Sequence, residues 1–252
     1  LIVSRPALPC TSIMVGRSAS TDGSVITSHT CDSHRNSSRI VVVPAREHKP
    51  GSSRLLTKRT DDNSGPMERY GRQATGAIPE AAHTFAYLSP AYSVINERQV
   101  AIGESTFEGR EELKSDKGLI DCETLAALML ERAATAREAI RIGGALVEKY
   151  GWCDLGEALT IADPQEVWLM EIVGPGEGAV GAVWAAQRVP DDHVSVVANA
   201  SRIGELDLAD PDYFMASKNV VELARQKGYW SEESGRPFRF YEAYNPDGRT
   251  TF

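Results

Sequence analysis

Residues 8–32 read LPCTSIMVGRSASTDGSVITSHTCD, and this stretch decides how the fold begins. Two runs rich in apolar and β-branched residues, TSIMVGR and SVITSHT, flank the segment SASTDG, in which Asp22 and Gly23 are typical turn residues. The pattern predicts a β-hairpin that begins directly after Cys10. A cysteine at that position is a buried core residue, half of a disulfide, a metal ligand or a nucleophile, and the rest of the sequence has to distinguish these roles.

The charge of the chain narrows the choice of partners. The 252 residues include 35 acidic and 27 basic side chains, which give a formal net charge of −8. This balance argues against a nucleic-acid partner, because binding to a phosphate backbone needs a concentrated lysine and arginine surface. No apolar run reaches the ~18 residues that a membrane-spanning helix needs, so no membrane partner is predicted.

The ends of the chain suggest a processed protein. Residues 1–9, LIVSRPALP, lack an initiator methionine and are predicted to be the remnant of a leader, either a signal peptide or an autocleaved propeptide. The two alternatives leave the location open, cytoplasmic or secreted. Residues 10–252 are predicted to form one domain, truncated at its C-terminus because YNPDGRTTF supplies no closing element.

The four cysteines, Cys10, Cys31, Cys122 and Cys153, show neither CxxC spacing nor a Cys/His cluster. No metal site is therefore predicted. An even count permits two disulfides but does not require them in a chain of this length. Cys31 precedes Asp32, and strand alternation predicts that its side chain points away from Asp32 into the core.

Strand patterns dominate the first hundred residues. RIVVVPA predicts a third strand, and the polar residues 46–80, without clear periodicity, are interpreted as a long loop excursion. TFAYLSPAYSVINERQVAIGEST predicts two further strands around the turn NERQ, in which Asn96 and Glu97 are expected to be structural.

The period then changes to that of helices. Asp121 is the predicted N-cap of a first helix, and Thr135 with Glu138 forms a predicted capping box at the start of a second, which Gly151 ends. Four strand-like runs follow, and a last helix is predicted from Asp210. Strands, helices, strands and a helix in blocks predict an α+β fold with sheets beneath helical layers.

Five motifs follow one another in order between Cys10 and about Gly228. They are CTSIMVGRSASTDGSVITSHTCDS, INERQVAIGEST, ALTIADPQEVWLMEIV, WAAQRVPDDHVSVVANASRI and DPDYFMASKNV. Together they resemble a known family, the cysteine-type dipeptidases of the dipeptidase A and secernin group. The resemblance implies the four-layer αββα sandwich of the N-terminal-nucleophile hydrolases.

The resemblance gives Cys10 a chemical role. In such enzymes a leader is removed, the cysteine becomes the first residue, and its own α-amine acts as base. An α-amine titrates near pH ~8 and a thiol near pH ~8.5, so the amine is able to relay the thiol proton near neutrality. Without the family match, a small buried core thiol remains the alternative for Cys10.

Further site residues are carried over from the family pattern. Asp32 stands where relatives have an aspartate near the nucleophile's amine. Related enzymes place an arginine three residues earlier, where this chain has His29, a residue that titrates near neutrality. His29 is a candidate charge or donor near Cys10, or a polar strand residue without a catalytic part.

Asn199, in VVANAS, matches an asparagine whose amide stabilises the oxyanion of the tetrahedral intermediate in related acylases. A plain turn role is the alternative. The second oxyanion donor of those relatives falls near Ser105 or Thr106, which places both in the substrate-binding region. Here a hydroxyl or a backbone N–H would have to serve.

The sequence as a whole predicts a cysteine dipeptidase that acts on small peptide substrates without a cofactor. An acylase of non-peptide amides on the same fold, similar to choloylglycine and penicillin V hydrolases, is the first alternative. A non-catalytic interaction module is the second. Whether the chain forms a homo-oligomer stays open.

Overall fold

The computed structural model describes residues 10–246, except residues 34, 37, 38, 63 and 66–68. The strands are β1 (Thr11–Val15), β2 (Ile26–His29), β3 (Val41–Val43), β4 (Arg46–Glu47), β5 (Ser53–Asp62), β6 (Arg69–Pro79), β7 (His83–Thr84), β8 (Tyr87–Ser89), β9 (Ile95–Asn96), β10 (Ala101–Glu108), β11 (Gly156–Ala162), β12 (Val167–Val173), β13 (Val183–Arg188), β14 (Val194–Ala198) and β15 (Phe214–Ala216). The helices are α1 (Cys122–Leu130), α2 (Ala136–Tyr150), α3 (Val220–Gln226) and α4 (Phe240–Tyr244).

Two antiparallel sheets organise the chain. The large sheet has eight strands in the order β15-β13-β12-β11-β10-β9-β8-β3, and the small sheet has three in the order β14-β1-β2. The predicted first hairpin is therefore present as β1 and β2. The mixture of large antiparallel sheets and helices confirms the predicted α+β class.

The two sheets lie face to face, and helices α1 and α2 pack on the far side of the large sheet. Strands β11 and β12 are buried on both faces, as a sheet between two layers requires. One apolar cluster joins α1 and α2 to the large sheet and includes Leu128 and Trp168. A second joins the two sheets and includes Met14 and Leu169.

The predicted helix starts are confirmed by their hydrogen bonds. Asp121 caps α1 by accepting from the Thr124 N–H at 2.9 Å, and Thr135 caps α2 by accepting from the Glu138 N–H at 3.2 Å. Gly151 ends α2 with a positive φ of 81°, which an L side chain rarely adopts. The longest helix of the described residues is α2, with 15 residues, and none of them is long and apolar enough to cross a membrane.

Two sequence predictions are wrong. Residues 46–80 are not a loop excursion, because β5 and β6 form a long antiparallel hairpin. Its side chains are largely exposed or half-buried, so the apolar alternation that identifies a strand is weak.

The predicted helix from Asp210 is also wrong. Asp210 begins a turn, Phe214–Ala216 forms strand β15 on the edge of β13, and the helix starts only at Val220. Edge pairing in the sheet outweighs the helical pattern there, because β15 supplies hydrogen-bond partners to a strand that would otherwise lack them.

Candidate active site

Cys10 lies at the head of β1, in the centre of the small sheet. Thr11 pairs with Ala198 of β14 on one side, and Ser12 pairs with His29 of β2 on the other. Extending both antiparallel registers by the next residues places Cys10 between Asn199 and Cys31. The half-buried thiol is thus flanked on both sides by polar neighbours.

The thiol of Cys10 is held in its protonated form. A hydrogen bond to Cys31, burial and the negative charge of Glu104 all raise the pKa of Cys10 far above its ordinary value. The backbone N–H of Asp32 donates to the Cys10 sulfur and acts in the opposite direction. The group therefore needs a nearby base or cation to become a nucleophile at neutral pH.

Cys31 is the partner that sequence reasoning missed. The prediction that it packs into the core is wrong, since it is half-buried and in hydrogen-bond contact with Cys10. That hydrogen bond and a second from the Asn36 side-chain N–H at 3.1 Å lower the pKa of Cys31 to about 6. The signal was present in the sequence, because a symmetric hairpin around its turn pairs Cys10 with Cys31.

Ser105 connects Cys10 to Asn199. Its hydroxyl donates to the carbonyl oxygen of Cys10 at 3.1 Å and accepts from the backbone N–H of Asn199 at 2.8 Å. The Asn199 side-chain N–H donates to the Thr106 carbonyl at 2.6 Å, and the Oδ1 atom of Asn199 is buried without a partner among the described residues. The predicted Ser105, Thr106 and Asn199 are thus brought together beside Cys10.

The hydroxyl of Thr106 points elsewhere. It donates to Oε1 of Glu157 at 2.7 Å, in a buried acidic group below the thiol. Only the backbone of Thr106 faces Asn199.

His29 and Asp32 take different positions around Cys10. Nε2 of His29 lies 3.5 Å from Oε1 of Glu104, and the ring packs edge-on against Tyr92 with centroids 5.9 Å apart. The Asp32 side chain is exposed and has no hydrogen bond or ion pair within the part of the chain that the structure describes. It reaches the thiol through its backbone alone.

Two buried carboxyl groups lie beneath the site and were not identified from the sequence. Glu104 is 3% exposed and Glu157 is 1% exposed. Burial, and then the charge of Glu104, raise the pKa of Glu157 well above its ordinary value. These residues are 53 positions apart in the chain and come from two paired strands, so no local motif reveals them.

Two sets of these side chains have ligand atoms spaced closely enough to hold a metal ion. Ligand atoms of Cys10, His29 and Glu104 lie within 4.8 Å of one another, as do those of Glu104, Cys122 and Glu157. In both sets the raised pKa values of the thiols or of Glu157 favour protonated groups, which bind metal poorly.

A polar cleft lies beside Arg59, which is linked to His29 through Tyr92. The guanidinium of Arg59 donates to the hydroxyl of Tyr92, which contacts the His29 ring, and lies 4.5 Å from the centre of the Tyr70 ring. Lys58, Arg59, Tyr70 and Asp154 are among the residues that line the cleft.

A model of peptidase family C69 matches residues 9–251, which include all of the described elements. The chain belongs to peptidase family C69. This assignment confirms the resemblance that the motifs from Cys10 onward indicate.

Curated relatives of this C69 chain carry dipeptidase names. A probable dipeptidase of Salmonella dublin is 27% identical over 96% of the chain and 54% of its own length. A probable dipeptidase of Latilactobacillus sakei is 31% identical over 85% of the chain and 44% of its own length. A dipeptidase of Bifidobacterium longum is 30% identical over 86% of the chain and 42% of its own length. The chain spans about half the length of the curated relatives it matches.

Proposed function

We propose that this C69 protein is a dipeptidase whose nucleophile is the thiol of Cys10. One observation carries the proposal: Cys10 stands at the head of the central strand of the small sheet, joined to Asn199 through Ser105. The dipeptidase names of the relatives supply the substrate class.

The base in this mechanism is created by processing. Residues 1–9 are the proposed leader, and their removal would convert the amide nitrogen of Cys10 into an α-amine. Such an amine titrates near pH ~8 and is able to accept the proton of the adjacent thiol. The protonated amine would also place a positive charge beside the sulfur, opposing the effect of Glu104.

The reaction then runs through an acyl-enzyme. The Cys10 thiolate attacks the peptide carbonyl carbon, the α-amine carries the thiol proton to the leaving amine, and the C–N bond breaks. Water, deprotonated by the same amine, attacks the thioester, releases the acid and restores the thiol. The side-chain amide of Asn199 and a backbone N–H are the proposed oxyanion donors.

The remaining candidates have supporting parts. Asp32, whose backbone N–H donates to the Cys10 sulfur, would orient the new α-amine of the same residue. His29, held between Glu104 and Tyr92, would stand as a polar wall of the site. Ser105 fixes Asn199 against Cys10, and Thr106 provides the carbonyl that orients the Asn199 amide.

We infer for the same chain the four-layer αββα arrangement in a domain that starts at Cys10. The described residues supply helices, a large sheet and a small sheet in that order. The outer face of the small sheet is apolar and open, with Ile13 41% exposed, Val194 58% and Val196 46%. These are the side chains that a further helical layer would cover.

Processing and catalysis are tested together on the full-length gene product. Intact mass and N-terminal sequencing are expected to show a mature chain that begins at Cys10. The mature chain is then assayed with a panel of dipeptides and acyl amides, and we expect it to hydrolyse the dipeptides. A preference for acyl amides would contradict the proposed substrate.

The nucleophile is tested by substitution. Cys10→Ala is expected to abolish hydrolysis without unfolding the protein, because the neighbouring thiol of Cys31 has no α-amine of its own to act as base. Cys153→Ala, which removes another half-buried thiol, is the matched control and is expected to stay active. Surviving activity in the Cys10 variant would show that the mechanism is wrong.

A further inference from the structure

Cys31 has no part in the proposed hydrolysis, yet it lies directly opposite the nucleophile. The Thr30 N–H donates to the Thr11 carbonyl at 2.9 Å, and the Thr11 N–H donates to the Thr30 hydroxyl at 3.0 Å. Thr11 and Thr30 are thus the hydrogen-bonded pair of the two strands, and the next pair outward, Cys10 and Cys31, is of the non-hydrogen-bonded type.

This pair type has the geometry that a disulfide requires. Facing residues of a non-hydrogen-bonded pair have Cα atoms ~4.5 Å apart and side chains on the same face of the sheet. Disulfides bridge Cα separations of roughly 4.4–6.8 Å. The two thiols are already in hydrogen-bond contact, which brings the sulfur atoms close enough to react after a side-chain rotation.

Both cysteines are only partly buried. Cys10 and Cys31 are free thiols and half-buried. Cys122 is buried in the core at the start of α1, and Cys153 lies in the segment that leads to β11.

We propose that Cys10 and Cys31 form a reversible disulfide when the protein reacts with a small peroxide, which removes the Cys10 sulfur from catalysis. This modification site goes beyond the proposed hydrolysis, and its formation does not depend on that activity. A thiol reductant would restore both thiols.

The chemistry balances in two steps. The Cys31 thiolate, favoured by hydrogen bonds from Cys10 and Asn36, attacks hydrogen peroxide and becomes a sulfenic acid, while the O–O bond breaks and hydroxide leaves. The Cys10 sulfur then attacks the Cys31 sulfur, the S–O bond breaks, and the Cys10 proton leaves with the hydroxyl group as water. Two thiols and one peroxide give one disulfide and two waters.

The test uses the full chain and detects the bond itself. The reduced protein is treated with hydrogen peroxide, the remaining thiols are alkylated, and a digest is analysed by mass spectrometry. We expect a peptide pair linked through Cys10 and Cys31, lighter by two hydrogen atoms than the separate peptides, that disappears on treatment with dithiothreitol. Peroxide oxidation of Cys10 to higher acids without that linked pair would overturn the proposal.

Two variants give the controls. Cys153→Ser is expected to form the same linked pair as the unmodified chain. Cys31→Ser is expected to form none, and peroxide should inactivate it more slowly than the unmodified chain, because the thiol that reacts first with peroxide in the proposed step is absent. Inactivation that is as fast as that of the unmodified chain and equally reversible by dithiothreitol would overturn the proposal.

The search for the linked peptides and the hydrolysis assay test the two proposals independently. A linked pair in a protein that hydrolyses no dipeptide would contradict the proposed function alone. Hydrolysis by a protein that forms no linked pair would contradict the disulfide alone.

Discussion

At the scale of the residue, Asn199 has an unusual backbone. Its φ of 49° lies in the left-handed region, which asparagine tolerates better than most residues. The conformation is held because its backbone N–H donates to Ser105 and its side chain to the Thr106 carbonyl. The side-chain amide has a second N–H, which is the oxyanion donor in the proposed mechanism.

We therefore expect Asn199→Asp to reduce kcat by roughly 100-fold or more, because the variant keeps the shape and tolerates the left-handed backbone but loses the N–H donors. Asn199→Gly should lose as much, although it relieves the backbone. Steady-state kinetics with a dipeptide, alongside urea unfolding to confirm the fold, measures both. A near-normal rate for either variant would return Asn199 to the role of a turn residue.

The residues of the site differ in how far the sequence reveals them. Cys10, His29 and Asn199 stand in motifs, so the family resemblance identifies them, and the structure brings them together. Glu104 and Glu157 were not identified from a motif, because strand pairing alone makes them neighbours. Cys31 was assigned to core packing, because strand alternation relative to Asp32 was considered and the cross-strand partner Cys10 was not.

At the scale of the element, the segment after β14 is fixed by a buried carboxyl group on β12. Glu171 accepts from the Ser201 hydroxyl at 2.5 Å and from the backbone N–H groups of Arg202 at 2.5 Å and Ile203 at 3.2 Å. Burial nevertheless raises its pKa from the ordinary 4.5 to about 7, because the desolvation of the charge outweighs these hydrogen bonds.

This raised pKa makes stability depend on pH. Between pH 4.5 and about 7 the folded protein keeps a proton on Glu171 that the unfolded chain has lost, so the contribution of this group to the free energy of unfolding falls as pH rises through that range. From the shift, we expect the stability of the unmodified protein relative to Glu171→Gln to fall by roughly 2–3 kcal/mol between about pH 5 and pH 8.

Urea unfolding of both proteins across this range measures the difference, and other buried acids cancel in the comparison. A pH-independent difference between the Glu171 variant and the unmodified protein would contradict the prediction.

Elements with a strong apolar period were predictable, and those without one were not. The period and caps of α1 and α2 follow from local residues, so both helices are where the sequence places them. The hairpin of β5 and β6 has no strongly apolar face, and β15 exists because the edge of β13 offers it hydrogen bonds. Neither signal is local.

At the scale of the whole molecule, the site depends on the close stacking of the two sheets. The order of strand and helix blocks predicts layers, but not that β14 leaves its chain neighbour β13 to pair with β1, a contact between distant segments. That pairing places Asn199 beside Cys10. Gly103 of β10 lies in the contact between the large sheet and the small sheet.

We expect Gly103→Ala to destabilise the protein by about 1–3 kcal/mol and to lower kcat, because the added methyl group forces the sheets apart. An ideal Cβ there would lie 2.7 Å from the Thr160 hydroxyl and 2.9 Å from Cβ of His29. The His29 contact belongs to the small sheet, so relief of the clash moves His29 and, with it, the geometry around Cys10.

Gly204→Ala is the matched control, because the nearest atom to its added Cβ is Cε1 of Tyr241 at 3.9 Å, an ordinary contact. Its stability should stay within about 0.5 kcal/mol of the unmodified protein. Urea unfolding and dipeptide hydrolysis of both variants separate the outcomes. If Gly103→Ala matched Gly204→Ala in stability and in activity, the two sheets would accommodate the added methyl group. The site would then not depend on their close approach.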